Sequence, residues 1–372
     1  MDCWSKLPEH LIEIFAEKLD SHRDFLSFSA VCTSWRSIFK NNIHCLPSKI
    51  PISHCLPKGK PLPLLVLYST MDSKIHNLFS LSNGKKMVKI SHEIDLSKTE
   101  NKLIMGSWRG WLFVVDYITH EIALINPLTG EEVCLPSFPS SSSLSLVRIK
   151  LVVFSYPIGN KYDCMVMFVC NHTKICFCKV GDDKWKTHRH SQGIENLINH
   201  NGIFHAMDLS SNLYRITMME NTIDMQYVLV WDTFGNQRCL FSTKFLVESS
   251  GELLLVTHAM PYKHLDGIPH FEIFKLTSRY VNYHDVYYLK YEWQQIEDVG
   301  NQTIFLGHKG SISVESSLYH GMKGNCIYFA RDVIGGNLYT AIYNLISLSV
   351  EYFSLDVDAN LDGLLWFSPN PW

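Results

Sequence analysis

The chain has 372 residues, 46% apolar and 19% charged, with 33 Lys and Arg against 36 Asp and Glu for a net charge of −3. At roughly 150 residues per domain this is one large domain or two unequal ones, too apolar for a disordered chain and without the broad basic footprint of a nucleic-acid binder. No run approaches the length of a membrane-spanning helix, Met1–Lys6 lacks the regions of a secretory signal, and eleven scattered cysteines suit a reducing compartment, so the expected location is cytoplasm, nucleus or both.

Residues 1–45 read as short helices. Ser5 is an N-cap type, and Pro8 falls in the first turn, where its missing N–H costs least. At 100° per residue Leu11, Phe15 and Leu19 stack on one line, flanked by Ile12, Ile14 and Ala16. The apolar arc is roughly twice the ~100° stripe that a helix needs to pack on one core, which leaves surface for a partner. A second helix runs from Ser21 or His22 to Ala30, with Phe25, Leu26 and Phe28. A third starts at Thr33 and carries Trp35, Ile38 and Phe39 at i, i+3 and i+4. Pro47, Pro51, Pro57, Pro61 and Pro63 then mark residues 46–63 as a linker.

From residue 64 onward no helical period appears. Short apolar runs separated by turn residues predict strands at Trp111 to Asp116, Glu121 to Asn126, Met165 to Cys170, Lys174 to Val180, Gly202 to Met207 and Leu213 to Thr217. Further strands are expected at Tyr227 to Asp232, Leu253 to His258, Phe271 to Leu276, Tyr287 to Trp293, Thr303 to Leu306, Cys326 to Ala330 and Val350 to Leu355. Such spacing is that of a sandwich, barrel or propeller. A faint repeat favours the propeller: Gly110-Trp111-Leu112-Phe113, Asn201-Gly202-Ile203-Phe204, Gly251-Glu252-Leu253-Leu254 and Gly324-Asn325-Cys326-Ile327-Tyr328. The first two gaps fit multiples of about 45 residues, the length of a four-stranded blade, and the third needs an insertion. The expected architecture is therefore α+β and multi-domain: a three-helix module over 1–45, then an all-β propeller over 64–372. Six blades are favoured and seven are possible. Residues 62–69 are expected to close the ring by pairing with strands near 345–355.

Signals for chemistry are weak. Cys164, Cys170, Cys176 and Cys178 cluster around His172, but their spacings miss the Cys-x2–4-Cys pairs of zinc sites, and Cys176 and Cys178 share one face of a strand, which suits burial. Eighteen histidines, including His188, His190, His200 and His205, come without a nucleophile elbow, a zinc-protease helix or a phosphate loop. No catalytic residue, metal or cofactor is expected. Trp108 with Arg109 is singled out as a candidate partner-binding pair, with Arg215 or Arg331 as equal alternatives.

The segment from Leu7-Pro8 through Leu11, Ile12, Phe15, Leu19 and Leu26 to Val31-Cys32 and Trp35-Arg36 resembles an F-box. Gly106-Ser107-Trp108-Arg109-Gly110-Trp111-Leu112, Leu124-Ile125-Asn126-Pro127-Leu128-Thr129-Gly130 and Leu364-Leu365-Trp366-Phe367 resemble the kelch-like β-propeller domain of unknown function that follows F-boxes in a large plant family. The resemblance implies that the first segment binds a Skp-type adaptor, and through it a cullin–RING ubiquitin ligase, while the propeller recruits an unknown client protein. It implies that Leu7, Pro8, Leu11, Ile12, Phe15, Leu19, Leu26, Val31, Cys32, Trp35 and Arg36 form the F-box core and adaptor-facing surface. Such a subunit is not an enzyme. Two rival readings are an F-box scaffold that directs no degradation and a propeller enzyme with an accessory helical module.

Overall fold

The computed structural model describes residues 7, 8, 11, 12 and 35, and then residues 63–368 apart from 69–75, 83–85, 91–101, 138–148, 155–163, 232–241, 260–268, 284–285, 333–337, 355–362 and a few isolated positions. The linker and most of the helical segment lie outside the described residues, as do Phe15, Leu19, Leu26, Val31, Cys32, Arg36 and Arg109.

Among the described residues, 26 strands numbered in chain order form six sheets. The first joins β1 (Leu64–Tyr68), β2 (His76–Ser82) and β3 (Lys86–Ile90) to the last strand, β26 (Gly363–Phe367). The second runs β4 (Lys102–Trp108), β5 (Trp111–Asp116), β6 (Ile122–Ile125) and β7 (Glu132–Leu135). The third is β8 (Ile149–Phe154), β9 (Met165–Cys170), β10 (Lys174–Lys179) and β11 (Lys186–Arg189). The fourth is β12 (Ile194–His200), β13 (Ile203–Asp208), β14 (Leu213–Met218) and β15 (Ile223–Val228). The fifth runs β17 (Ser242–Ser249), β18 (Glu252–Ala259), β19 (His270–Tyr283) and β20 (Val286–Ile296), with the short β16 (Val230–Trp231) on the outer edge. In the sixth, β22 (Ile312–Glu315) is innermost, followed by β21 (Gln302–Leu306), β23 (Cys326–Asp332), β24 (Leu338–Asn344) and β25 (Ser349–Ser354).

Burial explains why the middle strands are continuous apolar runs. A sheet covered on both faces needs no polar alternation. In β5, Trp111, Phe113 and Val115 enter one buried cluster while Leu112 and Val114 enter the next. In β9, Val166, Phe168 and Cys170 face one neighbour and Met165, Met167 and Val169 the other. Six such clusters fill the contacts between successive sheets, the sixth joining the last sheet to the first through Phe305, Tyr328, Leu65 and Trp366. The result is an all-β propeller.

Closure differs from the sequence expectation at one end. β1 does pair with a C-terminal strand, but the partner is β26, in the register Leu65↔Trp366 and Val66↔Leu365. The run near 350 is β25, the outer strand of the last sheet, paired with β24. None of its residues from Ser349 to Phe353 is buried, as suits an edge, whereas Leu365, Trp366 and Phe367 are fully buried, as an innermost strand requires. The predicted run from Tyr227 to Asp232 is also divided, between the end of β15 and β16 in the neighbouring sheet.

Three of the four members of the faint repeat mark one recurrent turn, while Gly324-Asn325 precedes β23, which pairs parallel with β21. Gly110, Asn201-Gly202 and Ser250-Gly251 each sit between an innermost strand and the second strand, in the hairpins Trp108↔Trp111, His200↔Ile203 and Ser249↔Glu252. Asn201 and Gly202 have φ of 51° and 81°, and Ser250 and Gly251 have 51° and 80°. Two successive left-handed residues make the tight hairpin turn whose twist matches the strands, so glycine or asparagine recurs there for a backbone reason.

Candidate interaction surfaces

Of the F-box-like segment, Leu7, Pro8, Leu11, Ile12 and Trp35 are described. Leu11, Ile12 and Trp35 are helical, and the N–H groups of Leu11 and Ile12 donate to the carbonyl of Pro8 at 3.0 and 3.3 Å. Pro8 thus stands in a first turn, where its ring is preorganised and its carbonyl is used. Ile12 and Trp35 are buried, Leu7 and Leu11 half-buried, and Pro8 exposed.

The central axis is lined by polar and bulky side chains from the innermost strands. A cavity of about 260 Å³ lies there between Trp108, Ile198, Phe245 and Leu246, with Glu195, Lys244 and Lys309 at its wall. Lys309 Nζ donates to the carbonyl of Ile104 at 3.0 Å, and Ser107 Oγ donates to the carbonyl of Trp366 at 2.8 Å. Trp108, chosen from sequence as a client contact, packs against three of the six core clusters while reaching this cavity. It is a wedge between sheets as much as a surface group.

The cysteine cluster lies in the core. Cys164, Cys170, Cys176 and Cys178 are buried with Trp111, Phe113, Phe168 and Trp185, on one face of β9 and β10. Cys170 and Cys176 place their sulfurs 3.5 Å apart. Burial pushes the Cys178 thiol far up, and the Cys176 thiol is pushed up by its hydrogen bond to Cys170 together with burial. Both are protonated, inert thiols that pack as small apolar side chains. Among the described residues no group of three or more His, Cys, Asp or Glu is arranged to hold a metal.

The histidines split by environment. His205 is buried on β13, and desolvation, reinforced by the neighbouring His200, holds its imidazole down to about 4. His200 Nε2 lies 2.9 Å and Asn201 Nδ2 3.3 Å from the carbonyl of Gly251. The inner turn of the fourth sheet is thereby tied to the inner turn of the fifth.

One hub has no counterpart among the residues singled out from sequence. Asp208, fully buried, accepts at Oδ1 from the N–H groups of Ser210 and Asn212, both at 2.9 Å. Its Oδ2 accepts from Asn212 Nδ2 at 2.8 Å and Tyr214 Oη at 3.1 Å. Asp116 caps the corresponding turn between β5 and β6, accepting from Ile118 and Thr119 N–H. The readable signal was an acid closing an apolar strand, followed within four residues by Thr119-His120 or Ser210-Ser211-Asn212.

Residues 78–346 match the model of the KIB1-4 beta-propeller. The chain belongs to that family. KIB1-4 beta-propeller describes the architecture found here, while the kelch label enters through the names of relatives such as the Arabidopsis thaliana F-box/kelch-repeat protein At3g18720, 27% identical over 44% of each chain. The Arabidopsis F-box protein SKIP23 is 24% identical over 90% of this chain and 85% of its own. Another relative, the Arabidopsis F-box protein At2g26160, is 24% identical over 89% and 96%. Among solved structures the N-terminal domain of Nup159 covers 82% of this chain and 78% of its own at 8% identity, with a TM-score of 0.34 that carries no argument.

Proposed function

We propose that this protein is the substrate-recognition subunit of an SCF-type cullin–RING ubiquitin ligase, its F-box binding a Skp-type adaptor and its propeller holding a client protein. What carries the reading is that one chain joins a KIB1-4 beta-propeller to the Leu7-Pro8 to Trp35-Arg36 pattern, and that relatives named as F-box proteins align with 89–90% of it. The six sheets are read as six blades, and the working location as cytoplasm, nucleus or both. No catalytic constellation is invoked, because other subunits of such a ligase perform the transfer.

Burial supports a division of roles in this reading: the buried Ile12 and Trp35 are assigned to the helical core, and the half-buried Leu7 and Leu11 with the exposed Pro8 to the adaptor-facing surface. The test is co-purification of the full chain with a Skp-type adaptor, expected for the wild type and lost in the Leu7→Ala/Pro8→Ala double variant. A wild-type protein that binds no such adaptor overturns the proposal. Proteomics after acute depletion separates degradation from scaffolding, since only degradation requires an accumulating client.

A further inference from the structure

The fifth sheet carries a hairpin that its neighbours do not accompany. β19 has 14 residues and β20 has 11, paired from Ile273↔Ile296 out to Tyr283↔Val286, while β17 and β18 have 8 each. β18 pairs with β19 only over His270–Lys275, and β16 pairs with β20 only at Tyr291 and Glu292. Among the described residues the outer part of β19, and β20 from Val286 to Lys290, therefore have no ladder partner on their outward edges. Successive strands here are antiparallel, so the hairpin leaves on the same side as the Ser250-Gly251 turn.

Its side chains are not those of a protected edge. One face continues from the pair of half-buried Leu276 and buried Trp293 outward through Ser278↔Tyr291 and Tyr280↔Leu289 to Asn282↔Tyr287. Tyr280 is 73% and Tyr287 69% exposed. The other face sets Arg279 directly opposite Lys290, with Val281↔Tyr288 beyond them. Like charges opposite one another destabilise a strand pair. Glu292, diagonal to Arg279, lies 3.5 Å from each cation, and the Arg279 side chain remains 63% exposed. A two-stranded ribbon with free edges is marginal in water and is a template for a further strand.

We propose that the β19 edge of this hairpin, residues 278–283, is the client-docking element, taking up an extended acidic segment of the client as an added strand. Main-chain pairing supplies the geometry. Apolar or aromatic side chains of the segment lie on the Tyr280–Tyr287 face, and its acidic residues meet Arg279 on the other. The proposal rests on the client-recruiting reading above.

The probe is a fluorescent nine-residue peptide alternating Val or Tyr with Asp, titrated against the full chain by anisotropy. The proposal expects saturable binding that falls at least tenfold when alternate peptide nitrogens are methylated, when Lys replaces Asp, or when residues 279–290 are replaced by Asn-Gly. Arg279→Glu, a surface change that leaves the blade intact, is expected to weaken the acidic peptide tenfold and to strengthen the lysine one. Binding that survives N-methylation or loss of the hairpin overturns the proposal, as does no saturation up to millimolar protein. Sedimentation showing self-association that vanishes with the shortened hairpin also overturns it, since a second copy would then occupy the edge. Adaptor co-purification is measured alongside and is unaffected by hairpin changes, so failure of the adaptor reading shows separately.

Discussion

The indole N–H of Trp366 donates to the carbonyl of Leu306 at 2.9 Å, and both are buried where the first sheet meets the sixth. Trp366 also stacks edge-on against Phe305 at 4.9 Å, and its own carbonyl accepts from Ser107 Oγ in the second sheet. One residue of the last strand thus bonds to sheets on either side of its own.

Trp366→Phe keeps much of the packing but orphans the Leu306 carbonyl, and should cost about 1–3 kcal/mol. Trp366→Ala adds a cavity and should cost about 3–5 kcal/mol. Removing residues 361–372 deletes β26 and should leave no cooperatively folded propeller. Urea unfolding followed by tryptophan fluorescence and circular dichroism distinguishes the three outcomes.

Asp208 is a buried carboxylate with four donors around it. Asp208→Ala should destabilise by about 1–3 kcal/mol, because the half-buried Asn212 and Tyr214 and the turn N–H groups lose their charge-assisted acceptor. Asp208→Asn should fall between this and the wild type. Equal stability of wild type and alanine variant by denaturant midpoint would show the hub to be dispensable.

Burial holds His205 down to about 4 in the folded protein, against about 6.5 in an unfolded chain. Above pH 6.5 both states are neutral and stability is full. As pH falls from 6.5 to 4 the unfolded state takes up the proton first, so stability declines by up to roughly 3 kcal/mol and then levels off. The difference between wild type and His205→Phe, read from midpoints at each pH, should show this decline. A flat difference would contradict it.

The thiols make a chemical prediction. Cys134 is exposed, whereas Cys164, Cys170, Cys176, Cys178 and Cys326 are buried. Brief iodoacetamide treatment of native protein should alkylate Cys134 and spare those five, and treatment in urea should label all six. Peptide mapping by mass spectrometry reads the result, and native labelling of Cys176 or Cys178 would refute their placement in the core.

The strands legible in the sequence were those buried on both faces. Trp111–Asp116 and Met165–Cys170 were read to the residue, because uninterrupted apolar runs between turn residues are hard to mistake. The innermost strands β4, β8, β12, β17 and β22 were not read. The first four border the cavity and carry Gly106-Ser107, Asn196, Asn199 and Ser242-Thr243-Lys244. Three of them also break register against the second strand, between Ile104 and Gly106, Ile149 and Leu151, and Ile194 and Asn196. Such a bulge inserts one residue, here Met105, Lys150 and Glu195, and destroys the period of two on which recognition depends. The β19–β20 hairpin was visible only as two ordinary strands, since exposure of Tyr280 and Tyr287 follows from where β18 stops and not from their own neighbours in sequence. The Trp108 choice shows the same limit: an aromatic beside a turn reads as surface until the neighbouring sheets are present.

Closure by β26 also orders events during synthesis. Strands β1, β2 and β3 leave the ribosome early, but their innermost partner comes only with residues 363–367. Until then the first sheet keeps an open edge at Leu64–Tyr68, and the ring has no sixth wall. Chains that have not yet reached residue 363 are thus exposed to misassembly. A stop codon anywhere before residue 363 should accordingly remove the closing strand, however many blades precede it.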